Sequence, residues 1–522
     1  MARHSRGTMK VLQNSVFLMA STGLTAVLGL LFWRLVAHLF TPTRVGLATS
    51  LISAISLISY MSLCGLNSTL IRFPAPQRTR NSQITLSLVA VGGAAFVIAS
   101  GYLLGLPWYG QKLMFMRDNP GLSALFVGFC VCAALNVITD TVFISARIPQ
   151  YNLLADGVIQ GVAKLVLPLF LVGFGALGIV GATGGGYMIA VVASLTLMWW
   201  RLEYRPDFRT RATGLRKYYK FSFASYLSSL IGLLPTLVLP LIVLQRLGAD
   251  AAAYYYIAFQ VSSMLTGVSS GVGESMFSEA AFDLANTAEV FRRSAKIMAI
   301  AVVPAGIVLA FGSRLLLTFF GAAYSAHASG LLSVMSVGAA AVALNIWGSS
   351  ALRVHRRLRA MLVSNAVFLV VAVGLALVMA SRGLVWVGWA WDAGNLAAGL
   401  VALVCVPWPR REPEPAADAA RAAVAEAAEA AEEAAAAAAD ATEPEPEPEP
   451  DEAVAVDATY LDDTLATMPM VFPWNRPEWS AVVSAMRSEA KRPGGELRTS
   501  TGMRVRPRPE ADEKLEEAGR QW

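Results

Sequence analysis

The chain has 522 residues, of which 55% are hydrophobic and only 15% charged, with a mean hydropathy of +0.53. Residues 1–408 hold 29 Lys and Arg against 11 Asp and Glu, a net charge of +18, whereas residues 409–522 hold 13 against 25, a net charge of −12, which together give +6. This composition excludes a string of soluble domains, and the pI near 9.1 averages two unlike parts, so it does not indicate nucleic-acid binding.

Apolar runs long enough to cross about 30 Å of hydrocarbon recur through the first 408 residues. The first run is too long for the apolar region of a signal peptide, and no small-residue cleavage site follows it, so we interpret it as a membrane helix. The sequence predicts twelve transmembrane helices, at 15–39, 46–66, 83–107, 121–145, 157–176, 179–200, 221–245, 252–276, 295–319, 328–350, 361–381 and 384–407. The fifth and sixth helices are the hardest to divide, because GFGALGIVGATGGGY contains no polar turn.

The loop charges predict the orientation of these helices. With a cytoplasmic N-terminus, the inner segments hold 23 Lys and Arg and the outer loops hold six. Lys and Arg resist translocation, so we expect a multi-pass protein of the cytoplasmic membrane with both termini in the cytoplasm. The high Ala, Gly and Arg content suggests a GC-rich bacterial genome.

The basic loop RLEYRPDFRTRATGLRKYYK divides the chain into two sets of six helices. We therefore predict a six-helix lobe over 1–200, a basic cytoplasmic linker over 201–220 and a second six-helix lobe over 221–408. Because six is even, the lobes would be parallel repeats. The segment LFTPTRVGLATSLI (39–52) lies 207 positions before RLGADAAAYYYIAF (246–259), and each has an apolar run, a polar turn and a small residue (Gly46, Ala253).

Residues 409–522 have the composition of an acidic, low-complexity tail. The alanine-rich centre has helix propensity, but the Glu-Pro repeats do not, so most of the tail is predicted to be disordered. TYLDDTLATMPMVFPWNRPEW (459–479) is its aromatic part, and it reads either as a docking motif for cytoplasmic partners or as a few apolar residues in a disordered chain.

Catalytic and metal-binding motifs are missing from the sequence. It contains no GxSxG, HExxH, P-loop or GxGxxG fingerprint, and its four cysteines and four histidines show no metal-ligand spacing. Apart from 108–120, the outer loops are only a few residues long, whereas a membrane-embedded glycan polymerase or acyltransferase needs a loop for its acids and bases. We therefore expect a protein that is not an enzyme and has no cofactor or metal.

The most informative segment is LLADGVIQGVAKLVLPLFLVG (153–173), which places a lysine inside an apolar helix. Lys164 lies about 12 Å along the helix from Asp156, too deep for its charge to escape easily. Asp156, Gln160 and Lys164 are spaced by four and should share one face, and Pro168 should bend the helix one turn later. We expect a wet cavity lined by this face; the alternative is a structural ion pair between Lys164 and Asp140 or Asp392.

Other polar residues within the predicted spans are weaker candidates. Arg34 either faces the cavity or extends to the interface. Asp140 either carries a coupling ion or reaches the lipid head groups. Asp392, with Asn395 beside it, lies deeper and is predicted to face a cavity, where H⁺ or Na⁺ would be the coupling ion.

The twelve-helix layout, the basic central loop and the opening LVAHLFTPTRVGLATSLISAISLISYMSLCGLNSTLIRF resemble the polysaccharide-export flippases of the multidrug/oligosaccharidyl-lipid/polysaccharide superfamily over residues 10–408. In that family a helix ends in a short polar turn, a glycine begins the next helix and an arginine-bearing inner loop follows, which here are similar to 41–43, Gly46 and Arg72. The resemblance implies a V-shaped pair of lobes around a cavity that alternates between the two membrane faces. Its substrate would be a polyprenyl-pyrophosphate-linked oligosaccharide, with Lys164, Arg34, Gln160 and Asp156 in the cavity.

Other functions remain open at this point. A cation-coupled multidrug exporter of the same superfamily would use Asp140 and Asp392. A lipid II flippase would share the fold, and a scaffold would recruit glycan-synthesis enzymes through the tail. In each case membrane lipids surround the protein, and no nucleic acid is involved.

Overall fold

The computed structural model describes residues 27–75, 77–208, 215–282 and 287–406, together with 497–498 and 504–505. Up to residue 406 the described chain is helical. The α-helices are α1 (Val27–Leu39), α2 (Pro42–Ser62), α3 (Leu66–Arg72), α4 (Gln77–Tyr109), α5 (Phe115–Asp118), α6 (Pro120–Ser145), α7 (Gln150–Asn152), α8 (Gly161–Leu171), α9 (Ala176–Arg201), α10 (Leu215–Leu247), α11 (Ala249–Phe282), α12 (Thr287–Thr318), α13 (Ala322–Val337), α14 (Ala339–Val354), α15 (Leu358–Met379) and α16 (Leu384–Cys405). A π-helical segment (Leu153–Gln160) joins α7 to α8, and short 3₁₀ turns occupy Gln111–Leu113, Val172–Phe174 and Ala380–Arg382.

Each of the twelve predicted spans corresponds to a helix or helix pair of the described chain. Within the part of the chain that the structure describes, nine helical spans are long and apolar enough to cross a membrane, and α13 with α14 forms a tenth that bends by 43°. The first span is described only from Val27, and α11 has the length but a more polar sequence. The chain is therefore an all-α polytopic membrane protein of two six-helix lobes, the first comprising α1–α9 and the second α10–α16.

Glycine makes the turn between the fifth and sixth spans, which the sequence left undefined. Gly175 has a φ of +61°, a conformation that a residue with a side chain adopts only at a cost. It separates the 3₁₀ turn at Val172–Phe174 from α9. The chain thus reverses without any polar residue, which explains why composition alone could not place the boundary.

The largest apolar core joins the two lobes. Val45 and Leu51 of α2 lie in the same buried cluster as Val243 of α10 and Tyr255 of α11. A second buried cluster packs α11, α12 and α14 together, and a third packs α4, α6 and α9 together. Helix α2 of the first lobe therefore packs directly against α10 and α11 of the second lobe.

The two outer hairpins, 39–52 and 246–259, contact each other directly. Thr43 Oγ1 donates a hydrogen bond of 2.6 Å to Asp250 Oδ1, and these residues are 207 positions apart, the offset of the predicted repeat. Beside them, a Cβ placed on Gly46 would lie only 1.7 Å from the carbonyl oxygen of Ala249. The lobes therefore meet at this contact, at the end that the loop charges predict to be outside.

Most of the tail lies outside the described residues, and so do the predicted disorder of 409–522, the docking motif at 459–479 and the first part of the first span. In the tail, the structure describes two short strands, β1 (Leu497–Arg498) and β2 (Arg504–Val505). They pair antiparallel, with Leu497 opposite Val505.

Candidate functional site

A chain of polar side chains crosses the interior of the first lobe and ends at Lys164. Lys164 Nζ donates a hydrogen bond of 2.6 Å to Gln160 Oε1, and Gln160 Nε2 donates to Asn136 Oδ1 at 2.6 Å. Asn136 Nδ2 donates to Asp156 Oδ1 at 2.9 Å and to Asp140 Oδ2 at 3.3 Å. We call these five residues the Lys164 cluster.

The predicted polar stripe agrees with these hydrogen bonds. Gln160 also donates to Asp156 Oδ1 at 3.4 Å, so Asp156, Gln160 and Lys164 do lie along one face. Helix α8 continues through Pro168. The irregular backbone of this region is the π-helical segment Leu153–Gln160, which ends one turn before Lys164; such segments are rare overall but frequent at functional sites.

Lys164 is not neutralised by a direct ion pair. Among the residues that the structure describes, no acidic side chain forms a salt bridge with it, so the predicted alternative of a structural pair with Asp140 or Asp392 is wrong. Its ammonium group instead lies 4.4 Å from the ring centroid of Tyr187, within range of a cation–π interaction. The positive charge is held by one neutral amide and one aromatic face.

The cluster opens into a cavity of about 140 Å³ between the lobes. Trp33 of α1, Tyr187 of α9 and Tyr256 of α11 line it together with Asp156, Gln160 and Lys164. Trp33 and Tyr256 meet with ring centroids 4.7 Å apart, so one wall comes from the second lobe. Gly186 makes room for the lysine, since a Cβ there would lie 2.9 Å from Lys164 Cγ.

Asp140 belongs to the same cluster and not to a separate site. Its carboxyl group is close enough to interact with that of Asp156, and its Oδ1 is buried without a hydrogen-bond partner among the described residues. With all groups ionised, the cluster has a formal charge of −1, one lysine against two aspartates. The prediction that Asp140 reaches lipid head groups does not fit this position.

Arg34 lies elsewhere. Its side chain is exposed, and its guanidinium carbon lies 4.0 Å from the centroid of the Phe319 ring, beyond the end of α12. It does not line the Lys164 cavity. Of the two predicted positions for Arg34, the structure favours the one that extends away from the cavity.

Asp392 of α16 forms a second buried polar site, in the other lobe. It is 5% exposed, and neither carboxyl oxygen has a hydrogen-bond partner in the described part of the chain. The carboxyl group packs against Gly338 at the bend between α13 and α14, where a Cβ would lie 1.9 Å from Asp392 Oδ1. One turn later Asn395 Oδ1 accepts a hydrogen bond of 3.0 Å from Asn345.

Metal and thiol chemistry receive no support from the described residues. No group of three or more His, Cys, Asp or Glu in them is placed to hold a metal ion. All four cysteines are free thiols.

Sequence reasoning missed three residues of the first site: Asn136, Tyr187 and Gly186. For Asn136 a signal existed, because NVITD places it one helical turn before Asp140. No spacing in the sequence points to Tyr187 or Gly186, because these residues reach Lys164 only through the packing of α9 against α8.

Comparison with known proteins connects this geometry to a family. The family model described as polysaccharide biosynthesis protein matches residues 35–329, more than half of the chain. No curated protein sequence matches the chain.

Solved structures share the fold at low sequence identity. An inward closed lipid II flippase MurJ superposes with a TM-score of 0.58 at 12% identity, covering 76% of this chain and 87% of its own. An inward-facing multidrug resistance MATE family transporter of the MOP superfamily gives 0.53 at 16% identity, covering 75% and 93%. A MOP superfamily transporter from Pyrococcus furiosus, described as having a binding pocket of reverse polarity, superposes with a TM-score of 0.52 at 16% identity. The match covers 76% of this chain and 94% of the transporter.

Proposed function

Because this membrane protein belongs to the polysaccharide biosynthesis protein family, we propose that it is a flippase for a polyprenyl-pyrophosphate-linked oligosaccharide. The observation that carries the proposal is Lys164, a cation in the wall of a cavity between the lobes, held by the neutral Gln160. A positive charge in a site with little water attracts a pyrophosphate strongly. The sugar would occupy the wet cleft, and the prenyl chain would stay in the bilayer.

The contact between the outer hairpins supports a loading state that is open toward the cytoplasm. Thr43 and Asp250 hold the lobes together at the predicted outer end. Export then requires these hairpins to separate while the opposite ends of the lobes approach each other. Alternating access of this kind moves the head group from one leaflet to the other without a continuous pore.

We assign the coupling ion to Asp392. A buried carboxyl group without a hydrogen-bond donor is costly, and a proton or a monovalent cation would satisfy it. The site lies against the bend between α13 and α14, so binding of an ion there would change the angle between these two helices. H⁺ and Na⁺ both fit this chemistry.

The test is the sidedness of lipid-linked glycans in cells depleted of the protein. Inverted and right-side-out inner-membrane vesicles would be probed for the glycan that accumulates, and we expect it on the cytoplasmic face. Lys164→Ala should fail to restore export, and Lys164→Arg should restore part of it. Lys296→Ala, an exposed lysine of α12, is the matched control. Full export by Lys164→Ala would refute the role of this lysine.

A second candidate function rests on the formal charge of the Lys164 cluster. Two carboxyl groups, those of Asp140 and Asp156, outnumber the single lysine, and a net acidic cluster beside the cavity suits a cationic drug. If this function is correct, depleted cells will have normal lipid-linked glycans and will be sensitive to cationic drugs. The same depleted strain therefore distinguishes the two functions.

A further inference from the structure

The second lobe contains a polar cavity that the function proposed above does not use. It has a volume of about 180 Å³ and lies among α10, α11, α14 and α15. Seven of its lining residues carry hydrogen-bonding side chains: Ser270, Glu274, Asn345, Ser349, Ser350, Arg353 and Asn365. We call it the Asn345 pocket, and we propose that it binds a sugar unit of the lipid-linked glycan, an inference that rests on the proposed function.

Two buried polar atoms in this pocket make no hydrogen bond within the described part of the chain. Asn345 is 9% exposed and Ser350 is fully buried, yet Asn345 Oδ1 and Ser350 Oγ have no hydrogen-bond partner among the described residues. A buried polar atom left unpaired destabilises the protein, so these atoms favour a ligand that can bond to them. Asn345 Nδ2 is already engaged, donating to Asn395, so the open position on its amide is an acceptor. A ligand hydroxyl group can donate to this oxygen and can pair with the Ser350 hydroxyl in either direction.

The charge of the pocket favours a sugar over the pyrophosphate. Arg353 and Glu274 form a salt bridge of 3.1 Å, so the one cation in the lining is paired with the one anion. The remaining polar groups are amides and hydroxyls, which donate and accept in pairs as sugar hydroxyls require. Phe368 and Ile346 supply an apolar wall for the C–H face of a ring.

The size and position of the pocket fit one sugar unit of a glycan that enters from the cytoplasm. A cavity of about 150 Å³ accommodates a benzene ring, so the somewhat larger Asn345 pocket has room for one six-membered ring. Arg353 lies in the last turn of α14, next to the basic loop that the charge distribution predicts to be cytoplasmic. The pocket therefore faces the side from which a cytoplasmic glycan would enter.

The experiment compares two ligands on full-length protein in nanodiscs. The first is the pool of lipid-linked glycans extracted from cells depleted of the protein, and the second is farnesyl pyrophosphate, which lacks a sugar. Retained lipids would be identified and quantified by native mass spectrometry. Asn345→Ala and Ser350→Ala should each weaken glycan retention about three- to tenfold, the loss of one hydrogen bond, while farnesyl pyrophosphate binding changes less than about twofold.

Two further variants keep the test interpretable. Ser364→Ala removes a buried hydroxyl that is bonded to the carbonyl oxygen of Ala398 and does not line the pocket, so it should change neither ligand. Ser349→Phe keeps the two unpaired atoms, Asn345 Oδ1 and Ser350 Oγ, but fills the cavity, and should reduce glycan binding most. Pocket variants that retain glycan like the wild type, or that lose both ligands equally, would overturn the inference. Wild-type protein that retains neither ligand would contradict the proposed function itself, and the sugar site with it.

Discussion

Replacing Asp156 by asparagine should strengthen the binding of a pyrophosphate head group. The Asp156 carboxylate accepts from Asn136 at 2.9 Å and from Gln160 at 3.4 Å, and the asparagine side-chain oxygen can accept the same bonds. The substitution therefore removes one negative charge while it preserves the shape of the Lys164 cluster. A site in which the lysine attracts an anion should bind that anion more tightly once a nearby carboxylate is gone.

The structure sets the size of the effect. Between Lys164 Nζ and Asp156 Oδ1 there are hydrogen bonds of 2.6 and 3.4 Å and one amide group, so these atoms lie within about 8 Å of each other. A phosphate in contact with Lys164 then lies within roughly 11 Å of the carboxylate. With an effective dielectric constant near 20, the repulsion removed is at least about 1.5 kcal/mol. This corresponds to a decrease in Kd of at least about tenfold.

The assay is a titration of farnesyl pyrophosphate into the protein in nanodiscs, by isothermal calorimetry at about 0.15 M salt. Two controls also remove a negative charge: Asp392→Asn, in the other lobe, and Glu203→Gln, an exposed residue after α9. Both should leave Kd within about twofold of the wild type, because exposed or distant charges are screened. Unchanged or weaker binding by Asp156→Asn would refute the view that Lys164 attracts an anion against the field of its acidic neighbours.

Three further predictions concern the contact between the outer hairpins and the coupling site at Asp392. Cysteines replacing Thr43 and Asp250, in a background without native cysteines, should form a disulfide that stops transport until it is reduced, measured as glycan sidedness in vesicles. Gly46→Val should prevent the hairpins from closing, because even a Cβ at this position would lie 1.7 Å from the Ala249 carbonyl oxygen. An overpacking cost of about 1–3 kcal/mol predicts an approximately five- to 150-fold decrease in the ratio of closed to open protein. This decrease would be measured as a lower yield of the Thr43–Asp250 cross-link. Asp392→Asn should keep farnesyl pyrophosphate binding but abolish the stimulation of transport by an imposed H⁺ or Na⁺ gradient in proteoliposomes; retained stimulation would place coupling elsewhere.

The sequence predicted those parts of the fold that depend on length and spacing. Twelve apolar runs gave twelve helical spans because a membrane helix must satisfy its own backbone and be long enough to cross. The four-residue spacing of Asp156, Gln160 and Lys164 gave one polar face for a similarly local reason. Neither prediction required knowledge of which helices are neighbours.

The remaining features depend on contacts between helices, and no local pattern encodes them. Asp140 and Asp156 converge through Asn136 only because α6 packs against the π-helical segment. Arg34 is directed to Phe319 by the rotation of α1 against α12, which a hydropathy plot does not contain. The π-helical segment Leu153–Gln160 was not predicted from the sequence, whereas Pro168 lies within α8 one turn after Lys164.

The two lobes differ in chemistry, and this difference suits a substrate with two unlike ends. Thr43 and Asp250 join the outer hairpins of the two lobes. The cavity at the first lobe presents Lys164, whereas the Asn345 pocket of the second lobe is neutral and rich in amides and hydroxyls. A symmetric drug-binding cleft would not need this division. A lipid-linked glycan does, because its pyrophosphate requires a cation and its sugars require paired donors and acceptors.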